Sequence, residues 1–261
     1  SLYHNTRIAL LASLFLATSS KFLWMAHRVA FDVLLTFFVT MAILCFYKGY
    51  AARRDRSLTT PPCEGGEIGG VKKQEQRYYT LFYIFMALGV LTKGPIGFII
   101  PFFIVLTYLI LKKDVRVLKE TRPWIGGAIF AFIVFTWVYL ASIYGGKEYT
   151  YQILFKQNVG RFASSFAHKH PFYYYFTNFP VNFIPWSIFI PSIALYLFSK
   201  EGRGKIQNIL LPVIWVAVVF IFFSIVSGKR DIYVLPLYPA AALITAWFLN
   251  EFVEKFREKH F

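Results

Sequence analysis

Residues 208–226 read NILLPVIWVAVVFIFFSIV. Apart from the first residue and Ser224, this run is apolar on every face, with no alternation of polar and apolar positions. A strand crossing a membrane would alternate polarity in segments of about ten residues. A helix of this length covers most of the roughly 30 Å hydrocarbon core. Working outward, seven further runs of the same kind cover about 8–24, 30–50, 78–92, 94–111, 124–144, 173–198 and 232–250. The fold class expected is all-α, a polytopic transmembrane helical protein with about eight spans. It forms one transmembrane domain over residues 1–261. The composition agrees: 57% hydrophobic, 20% aromatic and only 16% charged, below the charge of an ordinary soluble domain.

The formal net charge is +15, which in a soluble protein would suggest nucleic acid. Here the cations cluster in short connections between apolar runs, as the positive-inside rule requires, and no nucleic-acid partner is expected. With the N-terminus placed inside, 19 of the 28 Lys and Arg fall on the inner face, and this bias sets the expected orientation. Cys45 lies inside an apolar run and Cys63 in a polar connection, so no disulfide is expected. The first run lacks a small-residue cleavage pattern, and no cleavable signal peptide is expected. Residues 51–77 contain Thr59-Thr60-Pro61-Pro62 and two Gly-Gly pairs, and read as a flexible inner linker without packed structure.

The longest connection, 145–172, is expected outside. It leads through Gln157, Asn158, Arg161, His168, Lys169 and His170 into Pro171-Phe172-Tyr173-Tyr174-Tyr175. It is too polar to span and too aromatic for a plain linker, so it reads as a surface loop over a binding site. Cations on the outer face run against the insertion rule, and the candidate chemistry gathers there.

Asp32, at the outer end of the second run, is a costly place for a carboxylate. Its functional reading is an acid or base group. Its plain structural reading is a helix N-terminal Asp paired with Arg28 four residues earlier. Lys93 closes a run before Gly94-Pro95. It reads either as an ammonium for a phosphate or as a snorkelling Lys capping terminal carbonyls. Arg161 offers a planar fork that matches phosphate oxygens, or alternatively touches anionic headgroups. His168 and His170 are spaced i, i+2, which is poor for a metal pair on a helix. Tyr173 sits where an aromatic belt is also expected. Lys229 lies in the tight turn Ser227-Gly228-Lys229-Arg230-Asp231, with Tyr233 just beyond. Two cations on the outer side in a tight turn are unusual; the plain structural reading is a charged turn, with Asp231 neutralising one cation. Their common outer location suits a membrane-embedded ligand with a phosphate head and a long apolar tail.

The following pieces carry a family resemblance: Ala9-Leu10-Leu11-Ala12, the surroundings of Asp32, Gly89-Val90-Leu91-Thr92-Lys93-Gly94, and Asn158-Val159-Gly160-Arg161-Phe162. His168 through Tyr175, Pro185-Trp186, Phe223-Ser224, Gly228-Lys229 and Tyr233-Val234-Leu235-Pro236 complete them. In this order the chain resembles the polyprenyl-phosphate-sugar-dependent glycosyltransferases of the GT-C fold. That group holds the 4-amino-4-deoxy-L-arabinose lipid A transferases and the dolichyl-phosphate-mannose-protein mannosyltransferase-like enzymes. The resemblance implies a membrane glycosyltransferase moving a sugar from a polyprenyl-phosphate donor to lipid A, a glycan or a protein on the outer, periplasmic face of the inner membrane. It implies Asp32 as catalytic, and Lys93, Arg161, Lys229, Tyr233, His168 and Tyr173 as substrate-binding. It leaves a divalent cation open as a cofactor. The family's opening helices, with Pro-Asp-Glu and Glu-Lys-Pro motifs, have no counterpart here. This leads to the expectation of a longer enzyme, or of a separately encoded N-terminal partner. Arg230-Asp231 also stands where Leu-Pro is commoner in the family. The alternative is a non-catalytic lipid-binding or transport protein, or a structural membrane subunit.

Overall fold

In the computed structural model, residues 5–28, 30–59, 65–151, 170–226 and 228–260 are described, with backbone only for helical residues 56–59, 65–69, 146–151, 259 and 260. Their architecture is helical. α1 covers Thr6–Thr18, α2 Ser20–Ala26, α3 Phe31–Thr59, α4 Gly65–Lys93, α5 Ile96–Leu111, α6 Val117–Glu120 and α7 Pro123–Tyr151. α8 covers Tyr174–Asn182, α9 Ile190–Phe198, α10 Lys200–Lys205, α11 Leu210–Ile225 and α12 Tyr238–His260. Short 3₁₀ turns at Trp186–Phe189, Ile206–Asn208 and Asp231–Leu237 link them. Each of the eight expected apolar runs falls on a helix or a bent helix pair. Phe31–Asp55, Pro123–Gly145 and Asp231–Glu258 are individually long and apolar enough to cross a membrane, and the bent pairs raise that number to as many as six. The chain is an integral membrane protein.

Three expectations need correction. Within 51–77, the described residues 51–59 and 65–77 are helical rather than linker: α3 continues to Thr59 and α4 begins at Gly65. The connection expected over 145–172 starts later, because α7 runs on to Tyr151. The run 173–198 is also not a straight span: it bends by 117° between α8 and the helix that follows Pro185. Proline there contributes no N–H to a continuing helix.

The chain divides into two compact units, one of residues 1–33 and 165–261, the other of 34–164. In the first, Asn5 caps α1, its Oδ1 accepting from the N–H of Arg7 at 3.0 Å and of Ile8 at 3.4 Å. Ile8, Ala12 and Phe15 recur at i, i+4 and i+7 and form one stripe, which packs on Ala242, Ala246 and Trp247 of α12. Small residues at i, i+4 let two helices approach closely, which is what drives association where lipid is as apolar as the protein. Between α1 and α2 the chain bends by 70°. The bend is held from outside: the Ser20 N–H donates to Ile184 O at 2.9 Å, and the Trp186 Nε1–H donates to Thr18 Oγ1 at 2.9 Å.

In the second unit α4 is the centre. A Cβ on Gly49 of α3 would lie 2.7 Å from the Tyr79 ring, so glycine is what lets α3 and α4 meet there. α4 turns into α5 at Gly94, whose φ of 71° an L side chain rarely adopts. Just beyond, a Cβ on Gly97 would lie 2.1 Å from the Gly89 carbonyl carbon, so the two backbones touch. At the other end of α4, the Arg53 guanidinium grips the α5–α7 connection. Its Nε and Nη2 donate to the two oxygens of Glu120 at 2.6 and 3.0 Å, and its Nη1 donates to Asp114 at 2.8 Å. Gln76 adds a bond to Glu120 O at 3.2 Å. α7 leaves large apolar side chains such as Trp124, Phe132 and Phe135 exposed, as a lipid-facing helix does.

Candidate functional site

The first unit holds Asp32, Tyr173, Lys229 and Tyr233 among the expected site residues, and the second holds Lys93. Arg161 and His168 lie outside the described residues.

The turn after α11 is the best-defined part. Lys229 is 4% exposed, and its Nζ donates to Val226 O at 2.8 Å. Val226 is the C-cap of α11, so this ammonium satisfies a carbonyl at the negative end of the helix dipole. The carbonyl-capping role considered for Lys93 is thus seen at Lys229. Arg230 follows in extended backbone, φ −137° and ψ 142°. Its peptide is clasped by one phenol: the Tyr175 hydroxyl donates to Arg230 O at 3.2 Å, and the Arg230 N–H donates to Tyr175 Oη at 3.3 Å. Tyr233 starts the next turn, its N–H donating to Arg230 O at 3.0 Å and its ring lying 5.7 Å from Phe223.

Asp231 was expected to neutralise a cation of its own turn. Instead it forms an ion pair with Lys21 of α2, across 210 residues of chain. It stands in the first turn of the 3₁₀ segment that follows Arg230. The turn is therefore tied at two points, by Tyr175 beneath and by Lys21 beside. Neither residue stood out in the sequence. Tyr175 was hidden in a Tyr-Tyr-Tyr run that also suits an aromatic belt, and Lys21 was one more cation at a helix end.

Tyr173, the expected ligand of that run, is exposed and lies edge-on to Phe172, with ring centroids 5.6 Å apart. His170 stacks on Tyr174 at 4.2 Å. Asp32 occupies the first turn of α3 and is 7% exposed, at the end where the helix dipole favours a carboxylate. Arg28, considered as its partner, has its guanidinium over the Trp24 ring at 4.5 Å. Lys93 is the last residue of α4, half-buried, immediately before the Gly94 corner. Among the described residues, no three His, Cys, Asp or Glu come together as a metal-ligand set.

The family model for dolichyl-phosphate-mannose-protein mannosyltransferases matches residues 2–148, more than half of the chain. The chain belongs to this family. It is 32% identical over 93% of its length to an uncharacterised protein of Aquifex aeolicus, covering 43% of that protein. It is also 32% identical, over 67% of its length, to an undecaprenyl phosphate-alpha-4-amino-4-deoxy-L-arabinose arabinosyl transferase of Wigglesworthia glossinidia brevipalpis, covering 31% of it. A transferase of the same name from Aeromonas hydrophila matches the whole chain at 26% identity, over 44% of its own length. In fold, the chain is similar to the crystal structure of ArnT from Cupriavidus metallidurans bound to undecaprenyl phosphate. The TM-score is 0.73 at 20% identity, covering 94% of this chain and 41% of that one. This family member thus has the GT-C architecture and spans less than half the length of the relatives it matches.

Proposed function

We propose that this chain binds a polyprenyl-phosphate-linked sugar and forms part of a membrane glycosyltransferase that passes the sugar to lipid A, another glycan or a protein. The reaction lies on the periplasmic face of the inner membrane. The observation that carries this reading is the family match over 2–148, which includes both Asp32 and Lys93.

The chemistry is a displacement at the anomeric carbon. An acceptor hydroxyl forms the new C–O bond while the bond from the anomeric carbon to the phosphate oxygen breaks, releasing polyprenyl phosphate. Asp32 accepts the hydroxyl proton or orients that hydroxyl. Lys93 and Arg161, with Tyr233 donating a hydrogen bond, stabilise the charge that grows on the departing phosphate. Lys229, fixed on the α11 C-terminus, adds positive potential from below the turn. His168 and Tyr173 contact the sugar or its phosphate, and the segment between α7 and α8 closes over the donor to exclude water.

The test is binding of undecaprenyl phosphate to the purified chain, followed by transfer assayed in native membranes. Lys93→Ala is expected to weaken binding by about tenfold or more, as loss of a charge-assisted phosphate contact does. Asp32→Asn is expected to leave binding within about twofold and to lower transfer by 10²-fold or more. Unchanged binding in Lys93→Ala would remove Lys93 from the site. Binding without transfer in membranes that hold the whole protein would favour the non-catalytic lipid-binding reading.

A further inference from the structure

α4 carries cations towards both of its ends. Lys93 is at one end, and Lys73 and Arg77 are near the other. At 1.5 Å per residue, Arg77 lies about 24 Å along the axis from Lys93, and Lys73 about 30 Å. That separation is close to the thickness of the hydrocarbon core. The Lys73 end lies beside the stretch of α3 that ends its apolar span at Asp55: Gly49 of α3 packs on Tyr79, and Lys48 places its ammonium 5.7 Å from the Tyr78 ring centroid.

Gly70, Lys73, Gln74, Arg77, Tyr78 and Leu81 line a cleft of about 500 Å³ there. These positions form one face of α4, and the chemistry along that face is graded. Gly70, at the outer rim, is exposed, with no atom of a described residue within 4 Å of where a Cβ would lie. Lys73, Gln74 and Arg77 follow with donors only on their side chains, apart from the amide oxygen of Gln74. Tyr78 and Leu81 come next, one turn deeper, where the helix becomes apolar. The nearest carboxylate on this part of α4, Glu75, is turned into the interior and is 1% exposed. Like charges at i, i+4 disfavour a helix, and an anion between Lys73 and Arg77 removes that repulsion.

We propose that this cleft is a binding site for an anionic phospholipid of the leaflet opposite Lys93. The lipid phosphate lies between Lys73 and Arg77, within reach of Lys48. The headgroup hydroxyls meet Gln74, and the first methylenes of an acyl chain run over Tyr78 and Leu81. The apolar floor is what selects a lipid over free phosphate. The site is independent of the donor site proposed above.

The test uses the full chain, purified and equilibrated in detergent with equimolar phosphatidylglycerol and phosphatidylcholine. Native mass spectrometry then counts the lipids retained. Phosphatidylglycerol is expected to be retained in preference. The double substitution K73Q/R77Q should lower its retention by about 30-fold, the product of two cations near a membrane surface. Charge-preserving K73R/R77K should keep it within about threefold. Lys72→Gln, exposed on the same turn but outside the cleft, should change it by no more than about twofold. Three results would overturn the site: equal retention of the two lipids by the wild type, unchanged phosphatidylglycerol retention in K73Q/R77Q, or its displacement by inorganic phosphate. A polyprenyl phosphate that displaces phosphatidylglycerol from the wild type, and is itself lost in K73Q/R77Q, would reassign the cleft to that lipid.

Discussion

Replacing Gly97 by Ala tests how closely α4 and α5 approach. The added Cβ would sit 2.1 Å from the carbonyl carbon of Gly89 and 2.4 Å from its oxygen and from Val90 N. All three atoms are backbone, so no side chain can swing aside. Reaching an ordinary contact of 3.4 Å needs the helices to part by about 1.3 Å. Overpacking of this kind costs about 1–3 kcal/mol, and the rigid neighbours place it near the top of that range. The gain in helix propensity from Gly to Ala returns up to about 1 kcal/mol, leaving a net loss of about 2 kcal/mol. Gly127→Ala in α7 is the matched control, because nothing lies within 4 Å of its Cβ and only the propensity gain applies. Gly89→Ala falls between them, its Cβ meeting Gly97 Cα at 3.2 Å. Reversible unfolding in SDS, followed by circular dichroism, should rank stability as Gly127→Ala, then Gly89→Ala, then Gly97→Ala. The first and last should differ by about 3 kcal/mol. Equal midpoints for Gly97→Ala and Gly127→Ala would refute the backbone contact.

Arg53→Gln should destabilise the chain by about 1–2 kcal/mol in the same assay, because it removes the guanidinium fork from two half-exposed carboxylates. Arg53→Lys should recover less than half of that loss, since a point ammonium cannot reproduce the fork on Glu120. Tyr175→Phe removes both bonds to the Arg230 peptide and should cost about 1–2 kcal/mol by the same unfolding measurement, while Tyr173→Phe should be neutral within about 0.5 kcal/mol. Lys21→Met and Asp231→Asn should each cost about 0.5–1 kcal/mol. A double-mutant cycle on them should show coupling of similar size, which additive single effects would contradict.

The helices were legible because long apolar runs admit little else in a membrane, and every expected run is matched by helix. The bends were not. The kink at Ser19 depends on a hydrogen bond from the Ser20 N–H to Ile184 O and one from the Trp186 indole N–H to Thr18 Oγ1, and no local pattern announces partners that distant in the chain. The extent of α3 and α4 was misread for a similar reason. Pro and Gly around 59–70 suggest a linker, yet α3 runs to Thr59 and α4 starts at Gly65, and Arg53 and Gln76 both bond to Glu120 from within those helices. At the site, the residue types were readable and their jobs were not. Lys229 looks like any other cation in a turn, and only the bond to Val226 O shows it to be a helix cap. Asp231 has two cations beside it in the chain and pairs with a third from α2. Nearest neighbours in sequence are poor guides once a turn aims side chains elsewhere.

The Arg53 clamp also separates two moments in the life of one charge. As the chain is made, Arg53 emerges 61 residues before Asp114 and 67 before Glu120. At about 5–20 residues per second of synthesis, it is without these two carboxylates for about 3–13 s. During that interval its positive charge is available to hold the end of α3 on one side of the bilayer. Once the two acids arrive, the cluster of three carries a net negative charge, and Arg53 becomes a tie between helices. A cation that helps to set topology early need not remain a cation to the membrane afterwards.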